Sequence, residues 1–510
     1  MTKVEQSVKE LKFCVNNQWR KTETEEYMDI TNSSTGEVMA RTPRCSQDEV
    51  NEAIEAAKNA FPEWSATPVQ KRVDVMFKFK NKIEDNLDEL AKLVATEHGK
   101  NLAESRGDVI KALEVVEAAC STPYLMQGDS LMNVSKGFDT VMYREPLGVF
   151  AGIVPMNFPA MIPFGWMLPF CITTGNTFVL KAASQVPQTG MRMLELLIEA
   201  GLPAGVVNLV TCSRQEAEVI LRHPDIKGIS YVGSSSVGRH IYSTAASYGK
   251  RVQVLGEAKN HALVLKDAVL EKVADAVRNS AFGCAGQRCM ALPVVCVEEE
   301  VADEFVSYVV EAAKKLKVGP AYDPDTELGP VISEEHRQSV IDWIEKGVEE
   351  GAELVLDGRN VHVEGHENGF YLGPTIFDHV EPGMSVGEEE IFGPVLCIKR
   401  VKNFEEGLEQ MNNSPYANGS SIFTQDGYLS REFAYRTHGG MVGINVGIPV
   451  PVSYFPFSGH KDSFFGDLHV MGKDGVAFYT ESKCVTTKWY NPEDQQNNKV
   501  GTWEGTIHRE

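Results

Sequence analysis

Hydrophobic residues recur with a helical period from Ser46 to about residue 125 of the chain. Ser46 and Glu49 form a capping-box pattern, and the apolar stripe that follows is expected to end at Pro62. From residue 69 to about residue 125 the period stays helical. The residues before Ser46 alternate polar and apolar, which predicts short strands. We therefore expect a helical layer packed on a sheet.

Further along the chain, short apolar runs alternate with amphipathic helical patterns. Strands are predicted at residues 147–154, 177–180, 206–210, 228–232, 262–265 and 294–297. Helices are predicted around residues 194–198, 215–221, 273–281 and 301–316. Alternation of this kind indicates parallel strands joined by crossover helices, as in a dinucleotide-binding sheet. A second block of the same kind begins near Gly256.

One segment could belong to a membrane protein. Residues 146–180 contain no charged residue, and the run is long enough to cross a bilayer. It is interrupted by prolines at positions 155, 159, 163 and 169, each of which removes a backbone donor. We therefore predict a buried core segment.

Composition narrows the possible function. A chain of 510 residues exceeds one hydrophobic core, so two or three domains are expected. The formal net charge of -22 argues against nucleic acid or an anionic membrane as a partner. Ten dispersed cysteines and an N-terminus without an apolar signal region predict a reduced, cytoplasmic protein. No metal site is expected.

Cys289 is the strongest candidate for chemistry. It follows a predicted helix that Gly283 and Gly286 break, and it lies next to Arg288. A cationic neighbour and a helix end lower the pKa of a thiol, which favours a nucleophile. The alternative is a small buried hydrophobe, which is what most cysteines in such a chain are.

Two other positions carry a weaker signal. Asn157 follows a strand inside a proline-bounded turn, where it is either a turn former or a ligand contact at the carboxyl end of a sheet. Small residues from Gly233 to Gly238 join a strand to a helix, which indicates either an anion site or an ordinary serine-capped helix.

Together these residues resemble the NAD(P)-dependent aldehyde dehydrogenase superfamily, and within it the CoA-acylating methylmalonate-semialdehyde dehydrogenases. The resemblance extends to about Tyr490. Its specific motifs are Pro155-Met156-Asn157-Phe158-Pro159, the run from Phe282 to Met290, Glu390-Ile391-Phe392-Gly393-Pro394, and the run from Asn445 to Pro451.

The resemblance implies the fold and the roles of individual residues. It implies an α/β fold with two Rossmann-type open parallel-sheet domains and a small β oligomerisation arm. Cys289 would be the nucleophile, and the Asn157 amide with the Cys289 N–H would form the oxyanion hole. The residues implied in binding NAD are Pro155, Lys181, Ser184, Gly233, Ser234, Leu255, Glu390 and Phe392. Of these, Lys181 would contact the adenosine ribose, Gly233 and Ser234 the pyrophosphate, and Glu390 and Phe392 the nicotinamide ribose.

Leu255 bears on how the resulting thioester is released. General aldehyde dehydrogenases have a glutamate at the matching position, and it activates water. Leucine cannot accept a proton, so transfer to coenzyme A, with loss of carbon dioxide from the semialdehyde, is the implied outcome. The alternative is a hydrolytic enzyme with Glu257 as the base, and a third hypothesis is a non-catalytic member of the fold.

Other departures from the family concern specificity. Ser184 lies where relatives often have a glutamate that contacts the adenosine ribose, so NADP is not excluded. Lys111 lies where the subgroup has an arginine for the substrate carboxylate, and an ammonium lacks the two-pronged geometry of a guanidinium. Arg106 and Arg288 are therefore further candidates for binding that carboxylate.

The resemblance also implies how the chain is divided. Residues 1–123 and 147–256 would bind the cofactor, and residues 257–473 would form the catalytic domain. Residues 124–146 and 474–490 would form the oligomerisation arm, followed by a polar tail at 491–510. A homodimer or homotetramer that binds a small semialdehyde and coenzyme A is expected.

Overall fold

The structure, a computed structural model, describes residues 8–490, so the predicted polar tail lies outside the described residues. The first part of the chain forms strands and a helical layer. Its elements are β1 (Lys9–Glu10), β2 (Phe13–Val15), β3 (Gln18–Arg20), β4 (Tyr27–Thr31), β5 (Val38–Pro43), α1 (Gln47–Ala66), α2 (Val69–Asp85), α3 (Leu87–His98), α4 (Leu102–Ala119), α5 (Thr122–Leu125), β6 (Ser130–Ser135) and β7 (Phe138–Pro146).

The start of α1 is confirmed and its end differs from the prediction. Ser46 and Glu49 cap each other reciprocally, as the pattern predicts. The helix nevertheless continues through Pro62 to Ala66. Trp64 explains the continuation, because its ring is buried and its Nε1 donates to the Ile172 carbonyl at 2.9 Å.

The middle of the chain alternates strands with helices. Its elements are β8 (Val149–Ile153), a π-helical segment (Ile162–Met167), α6 (Leu168–Thr173), β9 (Thr177–Lys181), α7 (Pro187–Glu199), β10 (Val207–Val210), α8 (Arg214–Arg222), β11 (Ile226–Val232), α9 (Ser235–Ser247) and β12 (Arg251–Leu255). The uncharged run predicted as core is buried almost throughout residues 159–180, which confirms that prediction.

The last part of the chain forms a second alternating unit. Its elements are β13 (His261–Val264), α10 (Leu270–Phe282), a 3-10 turn (Gly283–Gly286), β14 (Val294–Glu298), α11 (Glu299–Lys314), α12 (Glu334–Glu349), β15 (Glu353–Leu356), β16 (Thr375–Asp378), α13 (Ser385–Glu388), β17 (Val395–Val401), α14 (Phe404–Asn413), β18 (Tyr416–Ala417), β19 (Gly419–Phe423), α15 (Gly427–Arg436), β20 (Met441–Ile444), β21 (His460–Lys461), β22 (Phe464–Phe465), α16 (Gly472–Phe478) and β23 (Thr480–Lys488).

Two open sheets carry the fold, as predicted. The first sheet has the order β22-β12-β11-β8-β9-β10-β2-β3, and its five central strands are parallel. The second sheet has the order β15-β16-β17-β14-β13-β19-β20, and all of its strands except β15 are parallel. Helices pack on both sheets through buried apolar clusters. The predicted α/β fold with two Rossmann-type sheets is confirmed.

The edges of the first sheet are antiparallel and come from distant parts of the chain. On one side β2 pairs with β10, and on the other β22 pairs with β12. Strand β22 lies within the range predicted for the catalytic domain, so the chain crosses back to complete the first sheet. Short alternation patterns do not specify such long-range edge pairing, because it depends on tertiary contacts.

A separate antiparallel sheet, here called the arm sheet, has the order β23-β7-β6. Strands β7 and β23 pair along their whole length, from Phe138 opposite Lys488 to Pro146 opposite Thr480. Several large apolar side chains are exposed on it, including Leu131, Met132 and Trp489. Within residues 8–490, no helix combines the length and apolar character needed to cross a membrane.

The carboxyl ends of the first sheet's strands lie toward the amino ends of the second sheet's strands, where Asn157 meets Cys289. Strands β8, β9, β11 and β12 of the first sheet are parallel, so their carboxyl ends lie at one edge. In the second sheet, the amino ends of β13, β14, β17 and β19 are in register at one edge, with His261 beside Val294 and Ser420, and Val294 beside Cys397. The predicted site residues lie in the segments attached to these two edges.

Candidate active site

The loop that carries Cys289 is held in an unusual conformation. After α10, Cys284 and Ala285 adopt left-handed backbone angles, with φ of 53° and 51°. Gly286 has φ of 73°, and a Cβ there would lie 2.0 Å from the Gly393 carbonyl oxygen. The Cys284 N–H donates to the Glu104 carboxylate at 2.7 Å. Left-handed backbone angles are unfavourable for residues other than glycine. They persist only where surrounding contacts hold them, as in functional loops.

Two asparagines fix the backbone of the candidate nucleophile. The Cys289 carbonyl accepts a hydrogen bond from the Asn260 amide at 2.9 Å and from the Asn418 amide at 3.2 Å. Asn260 also donates to the Ala291 carbonyl and accepts from the Gly419 N–H. Both asparagines are buried at the amino edge of the second sheet. The orientation of residue 289 is therefore set by strands β13 and β19.

Asn157 and Cys289 come together from the two sheets. The Asn157 Nδ2 lies 3.8 Å from Cys289 Sγ and donates toward it. Asn157 is buried, and its Oδ1 has no hydrogen-bond partner among the described residues. The N–H of Cys289 itself also interacts with Sγ. One of the two donors predicted to form an oxyanion hole, the Asn157 amide, therefore lies against the sulfur.

The thiol is less acidic than its sequence neighbourhood predicted. Burial, and then the charge of Glu390, raise the pKa of Cys289 to about 11, although its hydrogen bonds with Asn157 and its own N–H lower it. The expected lowering of the pKa by Arg288 is wrong, because the Arg288 guanidinium turns back and donates to the carbonyls of Asn279 and Ser280. The resting thiol is therefore protonated at neutral pH.

The predicted cofactor residues lie at the carboxyl ends of the strands of the first sheet. Pro155 follows β8, Lys181 ends β9, and Ser184 lies in the turn after it. Lys181 is partly buried, and burial lowers its pKa. Lys181 and Ser184 place polar side chains at the strand ends, where open α/β sheets bind ligands.

The start of α9 has features that suit a phosphate. At Gly233 a Cβ would lie 2.3 Å from the Tyr231 hydroxyl oxygen, so the chain can approach this strand only with glycine. Ser234 takes the N-cap position and its side chain makes no capping hydrogen bond. Amide groups at such a helix start are suited to bind an anion. One of them, the Ser235 N–H, already donates to the Glu257 carboxylate at 3.1 Å.

Leu255 and Glu257 differ in where their side chains lie. Leu255 ends β12, is buried, and belongs to the apolar cluster on which Cys289 packs. Glu257 is tied to α9 twice, because its own N–H also donates to Ser235 Oγ at 2.9 Å. Glu257 is not among the residues that line the pocket around Cys289. Its placement therefore does not favour the predicted alternative in which Glu257 activates water.

Glu390 and Phe392 line the pocket around Cys289. The Glu390 carboxylate accepts from the Ala258 N–H at 3.0 Å, and burial raises its pKa to about 8. Phe392 has φ of 58°, and its carbonyl bonds the His336 ring at 2.8 Å. The buried Lys259 ammonium donates to the carbonyls of Val386 and Glu389, which holds this loop against the end of β12.

The three candidates for binding a substrate carboxylate separate in space. Arg288 lines the pocket around Cys289. Lys111 is half-exposed and pairs with Glu114 at 2.7 Å, two helical turns from Glu104 on the same face of α4. Arg106 pairs with Asp88 on the surface. On α4, Arg106 lies about 160–200° around the helix axis from Glu104 and Asp108, the two acids that face the site. Its predicted role in binding the substrate carboxylate is therefore not supported.

Four residues beside the site were not predicted to have a role: Lys100, Glu104, Asp108 and Asn418. Lys100 donates to the Asn157 carbonyl, and the Asp108 carboxylate accepts from the Met161 N–H at 2.8 Å. A signal existed for Asp108, because it occurs at helical spacing with the apolar Ala112 and Val115. An acid in the buried stripe of a helix is a candidate functional group. Asn418 had no such signal.

The arrangement is suited to nucleophilic attack on a carbonyl. A partly buried thiol faces an amide donor, so an oxygen that became negative beside the sulfur would be stabilised. The carboxyl ends of the first sheet's strands, where open α/β sheets bind ligands, are joined to that thiol by Asn157. Among residues 8–490, no group of three or more His, Cys, Asp and Glu side chains is placed to hold a metal ion.

Comparisons with known proteins all indicate the same family. Residues 19–485 match the model of the aldehyde dehydrogenase family. The chain is 46% identical over 483 residues to malonate-semialdehyde dehydrogenase 2 of Oceanobacillus iheyensis, which covers 95% of this chain and 99% of the relative.

Solved structures agree with the sequence match. A methylmalonate-semialdehyde dehydrogenase of Oceanimonas doudoroffii is 42% identical, with a TM-score of 0.94 over 96% of this chain and 100% of its own. A Sinorhizobium meliloti protein, assigned as a methylmalonate-semialdehyde dehydrogenase and crystallised with NAD, is 40% identical, with a TM-score of 0.94 over 96% and 99% of the two chains. The predicted resemblance to semialdehyde dehydrogenases is confirmed.

Proposed function

Because this chain belongs to the aldehyde dehydrogenase family, we propose that it oxidises malonate or methylmalonate semialdehyde and transfers the acyl group to coenzyme A. The relatives named above carry these substrates in their names. The finer claims are a thioester on Cys289, its release by coenzyme A, and loss of carbon dioxide. The observation that supports them best is Leu255, buried at the end of β12 where a water-activating carboxylate would be needed.

The reaction can be followed atom by atom at Cys289. The thiol loses its proton, the sulfur adds to the aldehyde carbon, and the aldehyde oxygen takes up negative charge between the Asn157 amide and the Cys289 N–H. NAD, when bound, supplies a hydride acceptor. Loss of hydride from the same carbon leaves a thioester on Cys289 and re-forms the carbonyl.

Release of the acyl group completes the stoichiometry. The thiolate of coenzyme A attacks the thioester and expels the Cys289 thiolate, which recovers its proton. Loss of the carboxylate as carbon dioxide leaves an electron pair on the α carbon, and a proton replaces it. Malonate semialdehyde then gives acetyl-CoA, and methylmalonate semialdehyde gives propionyl-CoA, each with one carbon dioxide and one NADH.

The proposed NAD site is formed by residues at the carboxyl edge of the first sheet. Lys181 would contact the adenosine ribose, Gly233 and Ser234 the pyrophosphate, and Glu390 the nicotinamide ribose. The start of α9 fits this role, because Ser234 makes no side-chain capping bond and the Ser235 N–H already donates to an anionic group, the Glu257 carboxylate. The neutral Ser184 leaves NADP as an alternative. Equilibrium binding of NAD and NADP, followed by protein fluorescence, would decide between the two.

The deciding test is NADH formation with and without coenzyme A. With coenzyme A we expect multiple turnovers. Without it we expect a burst of about one NADH per Cys289 and then slow turnover, since water has no dedicated base. Cys289→Ala should abolish the burst. Undiminished multiple turnover without coenzyme A, with free acid as product, would overturn the proposal.

Hydrolysis is the second candidate. The predicted base is Glu257, but the position of Glu390 beside Cys289 supports Glu390 as the base in its place. Glu390 lines the pocket with Cys289, and burial raises its pKa to about 8, near the value that suits a general base at neutral pH. If hydrolysis occurs, Glu390→Gln should abolish CoA-independent turnover while leaving one NADH burst. A hydrolytic rate unchanged in Glu390→Gln would exclude that role.

We further propose that residues 1–123 and 147–256 bind the cofactor, that residues 257–473 carry the nucleophile, and that the arm sheet joins subunits. The exposed apolar side chains of the arm sheet support the last point, because exposed apolar patches mark interaction sites. Sedimentation should show a dimer or tetramer, and Leu131→Asp should shift it toward the monomer. A monomeric wild-type protein would contradict this proposal.

A further inference from the structure

Lys100 lies beneath the turn that presents Asn157, in the connection between α3 and α4. Its side chain is completely buried. The ammonium donates to the Asn157 main-chain carbonyl and lies 3.7 Å from the centroid of the Phe158 ring. A buried lysine is costly to the fold unless its charge is compensated. The buried Lys100 ammonium therefore lowers the stability of the fold unless other contacts offset its loss of hydration.

The counter-charge of Lys100 also holds the same turn. Asp108 Oδ2 lies 3.6 Å from the Lys100 ammonium, beyond hydrogen-bond distance, and has no hydrogen-bond partner among the described residues. The other oxygen of Asp108 accepts from the Met161 N–H at 2.8 Å. Lys100 therefore holds residue 157 and Asp108 holds residue 161. Because Asp108 does not fully neutralise the Lys100 ammonium, the positive charge still acts on neighbouring groups.

We infer that Lys100 is a positioning residue of the oxyanion hole: it aims the Asn157 amide at Cys289 and places a buried positive charge behind the atom that becomes negative. The inference rests on the proposed function of Asn157 and Cys289. Lys100 touches neither substrate nor sulfur, and it acts through the Asn157 peptide. Preorganised charge of this kind is most effective where water is excluded.

The other charges around the thiol are few. Glu390, from the loop before β17, raises the pKa of Cys289, and Lys100 lowers it. Glu104 and Asp108, from α4, both interact with Lys100, as does His98 at the end of α3. Arg288 directs its guanidinium to the carbonyls of α10. Lys100 is therefore the cation in this set that favours the thiolate.

The test compares Lys100→Met with Lys250→Met. Lys250 is also buried, and its ammonium donates to the carbonyls of His223 and Ile226 just before β12, at the end of the first sheet remote from Cys289. Both variants should lower the melting temperature. Only Lys100→Met should move the pH profile of Cys289 alkylation by iodoacetamide, measured without cofactor, upward in pH, so that labelling at pH 7 becomes several-fold slower.

A second readout follows the chemical step. In Lys100→Met the single-turnover NADH burst should be about 10–100-fold slower, with the KM for semialdehyde nearly unchanged, because the interaction is made in the transition state. A purely structural role would lower the melting temperature and leave the alkylation profile and burst rate of the folded enzyme unchanged. That result would overturn the inference.

A second variant, for which the expected shift of the alkylation profile is in the opposite direction, tests the inference if Lys100→Met does not fold. Asp108→Asn keeps an acceptor for the Met161 N–H and removes the charge that opposes Lys100. Its alkylation profile should move downward in pH, and an upward or absent shift would refute the inference. Alkylation needs neither semialdehyde nor coenzyme A. Failure of the CoA-transfer proposal would therefore leave this result interpretable.

Discussion

Replacing Glu257 separates the two roles that its carboxylate could have. The carboxylate accepts from the Ser235 N–H at 3.1 Å, at the first residue of α9. The proposed dinucleotide site assigns the same helix start to a pyrophosphate. A bound pyrophosphate and the Glu257 carboxylate would then compete for the same donor. We predict that Glu257→Gln and Glu257→Gly bind NAD more tightly than the wild-type enzyme, with the glycine variant the tighter.

The size of the gain follows from what the carboxylate must give up. A hydrogen bond to a charged group contributes about 1.5–3 kcal/mol, and an anion at a helix N-terminus adds about 0.3–1 kcal/mol. Glu257 is partly exposed, so solvent screening reduces these values. A net cost of about 1–2 kcal/mol for displacing it corresponds to a Kd for NAD about 5–30-fold lower in the glycine variant.

Titration of NADH fluorescence measures the affinity, and NADH formation with coenzyme A measures turnover. Asp426→Asn is the matched control, because Asp426 caps α15 at the opposite end of the second sheet by accepting from the N–H groups of Tyr428 and Leu429. It should lose stability and keep its affinity for NAD. Unchanged affinity in both Glu257 variants would refute the shared-donor argument. A turnover loss above about tenfold in Glu257→Gln would instead restore Glu257 as a base.

Three further predictions concern the site. Asn157→Ala removes one oxyanion donor and should slow the NADH burst in stopped-flow measurements about 10²–10³-fold, so a loss below about tenfold would count against the oxyanion hole. Leu255→Glu should permit turnover without coenzyme A and yield free acid, detected by chromatography; continued dependence on coenzyme A would show that residue 255 does not control release. Because burial raises the pKa of Cys289 to about 11 and that of Glu390 to about 8, alkylation of Cys289 should keep rising up to about pH 10, about tenfold per pH unit except for a shallower rise near pH 8, where Glu390 ionises. Glu390→Gln should accelerate alkylation above pH 8 but not below pH 7. A plateau near pH 7 would contradict this ionisation order.

The local pattern of the chain was sufficient for the architecture. Alternation of apolar runs with helical stripes predicted β8 to β11 with helices α7 and α8, and the capping box placed the start of α1, whereas β12 and α6 were not predicted. The pattern failed at Pro62, where burial of Trp64 outweighs the cost of a proline inside a helix. It also gave no indication that β22 completes the first sheet, because that pairing is decided between distant segments.

The electrostatics of the site were beyond a linear pattern. Arg288 is adjacent to Cys289 in the chain, yet its guanidinium folds back onto α10. Lys100 is distant in sequence and lies beneath Asn157. Charge acts through space and desolvation, so the ionisation of a thiol depends on the packed structure. Asn157 itself was identified because its position after a strand has a geometric meaning in open α/β sheets.

Pairing of β7 with β23 has a consequence for how a new polypeptide matures. Residues 138–146 leave the ribosome long before residues 480–488, and at about 5–20 residues per second the wait is roughly 15–70 s. During that time β7 presents an open strand edge, a hazard for aggregation, so we expect chaperones to bind nascent chains at this stage. Quaternary assembly through this region would then begin only on nearly full-length polypeptides, which keeps truncated products out of finished oligomers.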